Sequence, residues 1–253
     1  MLLMAISVRA SELNEIVLLR DRYREEMNCQ IVHDSIHGRP GWTREYVLDL
    51  DGRTVGYGSV AVRGPWRDKP ALYEFYVPRE HWTRAFDLCA SLLTVCGAKQ
   101  IETQSNDRLL TVMLHTFTQN VRAESIVFED FLQTSYRPSG ASFRAALAED
   151  AEVMQRSGLG EGAGWVVTMN GAVAGAGDVL YHYNRPYGDI YMGIAEPYRR
   201  RGLGTYLVQE LKAVCRANKS VPAARCNVGN LSSRKTLQKS GFIPCANILV
   251  GDL

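Results

Sequence analysis

The chain has 253 residues, of which 46% are hydrophobic and 22% charged, as expected of one large or two ordinary globular domains. Its formal net charge of +2 gives no overall field that would attract nucleic acid or an anionic membrane. The six cysteines lack paired metal-ligand spacing, and no apolar run approaches the roughly 20 residues of a membrane span. We therefore expect a cytoplasmic protein with reduced, mostly buried thiols and no metal, nucleic-acid or membrane partner, and leave open a homodimer.

The first part of the chain predicts alternating helices and strands. An amphipathic helix is expected over residues 11–28 with Ser11 as N-cap. A hairpin over residues 46–60 is expected to turn at Asp51-Gly52, since both residues tolerate positive φ. A strand (72–77), a helix (84–96), a strand (99–104) and a helix (107–117) follow. This order predicts an α/β unit with a mixed sheet.

The second part repeats the first. Residues 165–179 align with residues 46–60 without a gap, at an offset of 119, and Asn170-Gly171 takes the place of the earlier turn. The same offset still pairs Cys96 with Cys215. An alignment that keeps one offset over this length exceeds the chance matches expected between any two α/β units. The second copy predicts strands at 190–194 and 223–228 and helices at 203–216 and 232–239, with its N-terminal part compressed into 143–157. Turn residues at 136–140 place the boundary between domains 1–137 and 138–253.

A basic, glycine-containing loop follows a strand of the second copy and opens a helix. The sequence RRRGLG runs from Arg199 to Gly204. Glycines let the backbone approach a ligand, successive N–H groups form a concavity, and the helix N-terminus favours an anion. Guanidinium groups suit phosphate oxygens. A nucleic-acid patch is the competing interpretation, but no aromatic residues are interleaved with the arginines.

Together with Ile194 ahead of the loop and the stretch from Asn230 to Phe242 that ends in Gly-Phe, this loop resembles the GNAT superfamily of N-acetyltransferases over residues 165–253. The resemblance implies two tandem GNAT-like domains, each a splayed mixed sheet flanked by helices, and acetyl-CoA as cofactor. Backbone groups of Ile194 would pair with the pantetheine arm. Asn230 would reach the pantetheine or orient the thioester, and Ser233 lies near the coenzyme or only on the helix surface. The pyrophosphate would be held by Arg199, Arg200, Arg201, Gly202, Leu203, Gly204 and Thr205.

Acetylation of an amine requires a base for the amine and benefits from an acid for the leaving thiolate. Asp189 and Tyr191, on the strand before the loop, are candidates for the base, and related enzymes often have a carboxylate within one residue of Asp189. A strand cap is the alternative role for Asp189. His182 is the right type for proton transfer near neutral pH, or is merely exposed. Leu237 stands where many GNAT enzymes have a tyrosine acid.

The equivalent loop of the first copy, residues 80–85, lacks the features that suit a phosphate. Glu80 replaces the first arginine, Trp82 adds bulk, and Thr83 replaces the first glycine. We expect this degenerate copy not to bind coenzyme. The predicted function is an acetyl-CoA-dependent N-acetyltransferase acting on a primary amine of a small molecule. A non-catalytic acyl-CoA-binding or sensing protein, or an acetyltransferase of protein N-termini or lysines, remains the alternative.

Overall fold

The computed structural model describes residues 5–31, 34–160 and 162–253. The chain forms two compact units. The first contains the described residues up to Ser125 together with Ala246–Leu253, and the second contains Ile126–Cys245. The sequence predicted the boundary at residue 137. The structure instead places residues 126–137 in the second unit and residues 246–253 in the first.

In the described residues of the first unit, five strands and four α-helices precede a longer strand. The elements are β1 (Ile6–Ser11), α1 (Leu13–Met27), α2 (Asp34–His37), β2 (Thr43–Leu50), β3 (Arg53–Ala61), β4 (Ala71–Tyr76), α3 (Ala85–Cys96), β5 (Gln100–Gln104), α4 (Arg108–Phe117) and the start of β6 (Gln119–Asp130). Strands β1 to β4 pair antiparallel in sequence order, and β4 pairs parallel with β5. The last residues of β12 (Phe242–Asp252) pair antiparallel with β5.

The second unit repeats this order in a shorter form. Its elements are β7 (Ala141–Ala145), α5 (Asp150–Arg156), β8 (Trp165–Met169), β9 (Ala172–Leu180), β10 (Tyr187–Ile194), α6 (Leu203–Ala217), β11 (Val221–Asn227) and α7 (Leu231–Lys239). Strands β7 to β10 pair antiparallel and β10 pairs parallel with β11. The expected α/β class, with a mixed sheet flanked by helices in each unit, is confirmed.

The two hairpins agree in detail. Asp51 and Gly52 have φ of +49° and +74°, and Asn170 and Gly171 have φ of +49° and +86°, the backbone of a type I′ turn. The register shifts after Leu48 in β2 and after Val167 in β8, positions separated by the predicted offset. The repeat inferred from the sequence therefore extends to the position of a β-bulge.

Two N-terminal details differ from the predictions. Ser11 does not cap the first helix, because it is the last residue of β1 and pairs with Glu45. Glu12 precedes the helix instead, and its N–H donates to Glu15 Oε1 at 3.3 Å. The short edge strands β1 and β7 were not predicted.

The expected burial of the thiols is confirmed for five of the six cysteines, and Cys245 is partly exposed. Separate apolar cores lie in the two units. In the second, Ile190 of β10 packs with Leu207 and Leu211 of α6, while Ala176 of β9 packs with Met154 of α5. The sheet of this unit is therefore covered by α6 on one face and by α5 on the other.

Candidate functional site

Strand β10 loses one of its neighbours halfway along. Its pairing with β9 continues to Ile194 opposite Gly175, whereas its pairing with β11 ends at Ile190 opposite Ala224. In the part of the chain that the structure describes, the β11 side of residues 191–194 therefore has no strand partner. An extended ligand can pair with such a backbone edge.

The loop after β10 has the conformation of an anion-binding turn. Arg200 and Gly202 both adopt left-handed backbone, with φ of +61° and +78°. Gly202 is the N-cap of α6, so the N–H groups of the first helical turn begin immediately after it. Where residues with left-handed backbone alternate with residues in other conformations, successive N–H groups point to the same side and form a concavity. The N-terminus of the helix adds positive electrostatic potential to this concavity.

Close packing of helix α7 defines the other side of this loop. A Cβ atom at Gly204 would lie 3.2 Å from Thr236 Cγ2, so the first turn of α6 is close to α7. The predicted start of α7 is confirmed, because Asn230 Oδ1 accepts the Ser233 N–H at 3.0 Å. This bond gives Asn230 a capping role in addition to any contact with a ligand.

These elements enclose a groove of about 1060 Å³. It is lined by all ten residues that the sequence assigned to coenzyme binding: Ile194, Arg199, Arg200, Arg201, Gly202, Leu203, Gly204, Thr205, Asn230 and Ser233. Sequence reasoning missed several others: Met192, Gly193, Glu196, Pro197, Tyr198, Ser232, Lys235, Thr236 and Lys239. The residues contributed by α7 recur at helical spacing from Ser232, a signal that the sequence contained.

The groove is strongly basic. Five of its lining residues are Arg or Lys, and Glu196 is the single acidic one. Arg199 Nε donates to the Ile194 carbonyl at 3.0 Å, which ties the loop to the end of β10. The Arg201 guanidinium lies 5.7 Å from the Tyr198 ring centre. This charge suits a ligand with several phosphate groups.

The three proton-transfer candidates are not among the residues that line the groove. Met192 and Ile194 pack with the core under α6, whereas Tyr191 packs with the cluster that contains Met154 and Leu159. Because side chains alternate along a strand, Asp189 and Tyr191 project from the sheet face opposite α6. Both lie close to the residue at which β10 and β11 separate.

Asp189 is buried, at 4% exposure, and its Oδ2 lies 3.4 Å from Arg225 Nε. The Arg225 guanidinium stacks 4.5 Å above the Tyr183 ring and donates to the Tyr183 hydroxyl. The His182 ring lies 4.5 Å from the same tyrosine ring and is exposed. Arg225 thus connects Asp189 to the neighbouring rings of Tyr183 and His182. The position of Arg225 in the sequence did not indicate this contact.

Tyr191 is partly buried. Burial, with a smaller effect of the Asp178 charge, raises the pKa of its hydroxyl, which therefore stays protonated at neutral pH. Leu237 is 4% exposed and packs in the core of the second unit. The position at which related enzymes often have a tyrosine is therefore apolar.

In the first unit the loop equivalent to residues 199–204 is the 3-10 helix Arg79–Arg84. The Trp82 indole N–H donates to the Val77 carbonyl at 2.7 Å. The guanidinium groups of Arg79 and Arg108 lie 5.9 and 5.8 Å from the Trp82 ring centre. Aromatic and guanidinium groups thus occupy the space beside this loop.

None of the helices in residues 5–31, 34–160 and 162–253 is long and apolar enough to span a membrane. Within the same residues, no three His, Cys, Asp or Glu side chains are grouped in a way that could hold a metal ion.

Known proteins resemble both the second unit and the whole chain. No curated protein matches the sequence significantly. A GNAT-family acetyltransferase from Colwellia psychrerythraea is 13% identical, with a TM-score of 0.79 over 98% of this chain and 99% of that one. A GCN5-related N-acetyltransferase from Sphaerobacter thermophilus is 14% identical, with a TM-score of 0.59 over 97% and 94%. A tandem GNAT protein from the clavulanic acid biosynthesis pathway is 13% identical, with a TM-score of 0.59 over 97% of both chains.

These structural likenesses show the fold. The sequence of the second unit goes further, because residues 127–242 match the model of the acetyltransferase (GNAT) family. That stretch contains β10, the basic loop, α6 and α7, which together form the groove. Residues 127–242, which form the groove, are thus identified as a GNAT acetyltransferase domain.

Proposed function

We propose that the protein is an acetyl-CoA-dependent N-acetyltransferase that acetylates a primary amine of a small molecule, and that the second unit holds the coenzyme. The observation that carries this proposal is the groove in which the open edge of β10 meets the basic loop at the N-terminus of α6. The edge suits the amide-containing pantetheine arm, and the loop suits the pyrophosphate. In this arrangement Asn230 and Ser233 flank the arm from the start of α7.

Bound acetyl-CoA supplies the thioester that acylates the amine. Asp189 and Tyr191 lie near the separation of β10 and β11, on the face away from α6, where the acceptor would approach. We assign Asp189 to the acceptor amine, as base or as its orienting partner together with Arg225. His182 is the second candidate for proton transfer from that amine.

Tyr191 is the best-placed proton donor. Its hydroxyl stays protonated at neutral pH because burial raises its pKa, and it lies on the strand that leads to Ile194. This role would replace the tyrosine that is absent at Leu237. Because a thiol has a pKa of about 8.5, the coenzyme thiolate can leave without a proton donor, so the contribution of Tyr191 is modest rather than essential.

A second candidate function is non-catalytic binding of acyl-CoA, favoured by the apolar packing of Leu237. The deciding experiment measures thiol release from acetyl-CoA with a panel of small amines, amino acids and peptides, alongside coenzyme A binding. Turnover with a small amine supports the main proposal. Binding without turnover supports the sensing role, and turnover with peptides alone supports a protein acetyltransferase. A chain that binds no coenzyme A contradicts all three.

A further inference from the structure

Residues 131–137 form a segment without regular secondary structure that runs along helix α6 in the second unit. The N–H groups of Phe131 and Leu132 donate to the Gly241 carbonyl, at 3.1 and 2.8 Å. The Leu132 carbonyl in turn accepts from Lys212 Nζ at 2.7 Å. Lys212 is only 1% exposed, so this end of the segment is fixed to a buried residue of α6.

Gln209, one turn earlier on α6, fixes the other end. Its Oε1 accepts the Tyr136 N–H at 3.2 Å and the Thr134 hydroxyl at 2.7 Å, and its Nε2 donates to the Tyr136 carbonyl at 2.8 Å. Gln209 is 9% exposed. A buried amide that bonds both backbone groups of one residue holds that residue as a neighbouring strand would.

The fixed backbone directs the Tyr136 side chain onto the basic loop. A Cβ atom at Gly202 would lie 2.4 Å from Tyr136 Cε1 and 2.7 Å from its hydroxyl oxygen. The ring therefore packs on the residue that caps α6 with a φ of +78°. Tyr136 is nevertheless 52% exposed, so burying it in a core does not account for its position.

We propose that Tyr136 is a positioning residue for coenzyme binding, which acts through Gly202. This role rests on the proposed function: segment 131–137 holds the basic loop, residues 199–204, in the conformation that binds the coenzyme. The ring restricts the backbone at Gly202 before the ligand arrives. Affinity then rises because less conformational freedom is lost on binding.

The first test compares coenzyme A affinity by titration calorimetry in the full-length chain. Tyr136→Ala should raise the Kd about tenfold, because the loop is no longer pre-organised, while kcat at saturating acetyl-CoA stays within about twofold. Tyr136→Phe keeps the ring and should bind as the wild type does. Tyr181→Ala is the matched control: this tyrosine is 40% exposed in the same unit and does not line the groove, so its loss should leave affinity unchanged.

A double-mutant cycle tests whether Tyr136 acts through Gly202. Gly202→Ala introduces both a clash with the ring and backbone strain, whereas in the Tyr136→Ala background only the strain remains. The affinity lost through Gly202→Ala should therefore be several-fold smaller in that background. Equal losses in both backgrounds, or unchanged affinity in Tyr136→Ala, would overturn the inference. Failure of the wild type to bind coenzyme A would instead overturn the proposed function and this inference with it.

Discussion

Asp189 and Arg225 form an ion pair across two parallel strands, with 3.4 Å between Oδ2 and Nε, at the point where β10 and β11 separate. Asp189 is buried, and Arg225 also stacks on Tyr183. The pair restrains the carboxylate beside Arg225 near the end of the β10–β11 pairing.

Asp189→Asn should lower kcat roughly a hundredfold or more if the carboxylate handles the proton of the amine, and leave the Kd of coenzyme A unchanged. Steady-state kinetics and calorimetry measure the two quantities separately. Glu152→Gln is the control, since it removes an ion-paired carboxylate from α5 that is 70% exposed. Unchanged turnover in Asp189→Asn would leave the residue with the single role of holding Arg225.

Tyr191→Phe should lower kcat by about tenfold at neutral pH, because it removes the proposed proton donor and keeps the ring in its apolar cluster. The wild-type rate should persist to alkaline pH and fall only above the raised pKa of Tyr191, where the hydroxyl ionises and can no longer donate. The pH dependence of kcat for both proteins measures this. A variant with the same profile and rate as the wild type would exclude Tyr191 as the donor.

Gly202→Val should abolish coenzyme A binding. The cause is local, because a side chain at Gly202 meets the Tyr136 ring and is strained at a φ of +78°. Gly171→Ala is the control, with a φ of +86° and no atom within 4 Å of the added Cβ. Calorimetry should find coenzyme affinity intact in the control, and measurable binding in Gly202→Val would contradict the prediction.

Asp107 predicts a pH dependence of stability in the first unit. It is 1% exposed, and burial raises its pKa to about 6, although the Leu110 N–H and the Tyr23 hydroxyl stabilise the charge. The folded state therefore binds the proton more tightly than the unfolded state. Its stabilising contribution is complete below the ordinary pKa of 3.8 and is lost as pH rises through about 6.

The measurement is the free energy of unfolding of the wild type and of Asp107→Asn between about pH 4 and about pH 7. Asparagine keeps an acceptor for the helix cap and cannot ionise. The wild type should lose up to about 3 kcal/mol relative to the variant across this range, as a shift of about two units implies. A constant difference between the two proteins would show that Asp107 ionises as easily in the folded as in the unfolded chain.

The features predicted from the sequence are those encoded by neighbouring residues. The two Asn/Asp-Gly turns, the start of α7 at Asn230 and the loop before α6 depend on backbone preferences within a few positions. Because the chain repeats itself, the elements predicted in one copy also predicted those of the other. The two copies agree as far as the register shifts after Leu48 and Val167.

The features that were missed depend on residues far apart in the sequence. The pairing of Ile248–Asp252 with β5 joins the end of the chain to the first unit, so a boundary read from turn residues could not include it. The Asp189–Arg225 pair exists because two strands are adjacent. The contact between Tyr136 and Gly202 depends on hydrogen bonds to Gln209. None of these has a local pattern.

The last prediction concerns the number of coenzyme sites. Titration with coenzyme A should give one site per chain, because the loop of the first unit has Glu80 where the second has Arg199, and the Trp82 indole beside it. Gly202→Val should reduce the stoichiometry to zero, which assigns the site to the second unit. Trp82→Ala, in which the carboxylate of Glu80 remains to repel phosphate, should still bind one equivalent. Two equivalents in the wild type, or one remaining in Gly202→Val, would mean that the first copy binds coenzyme despite its altered loop.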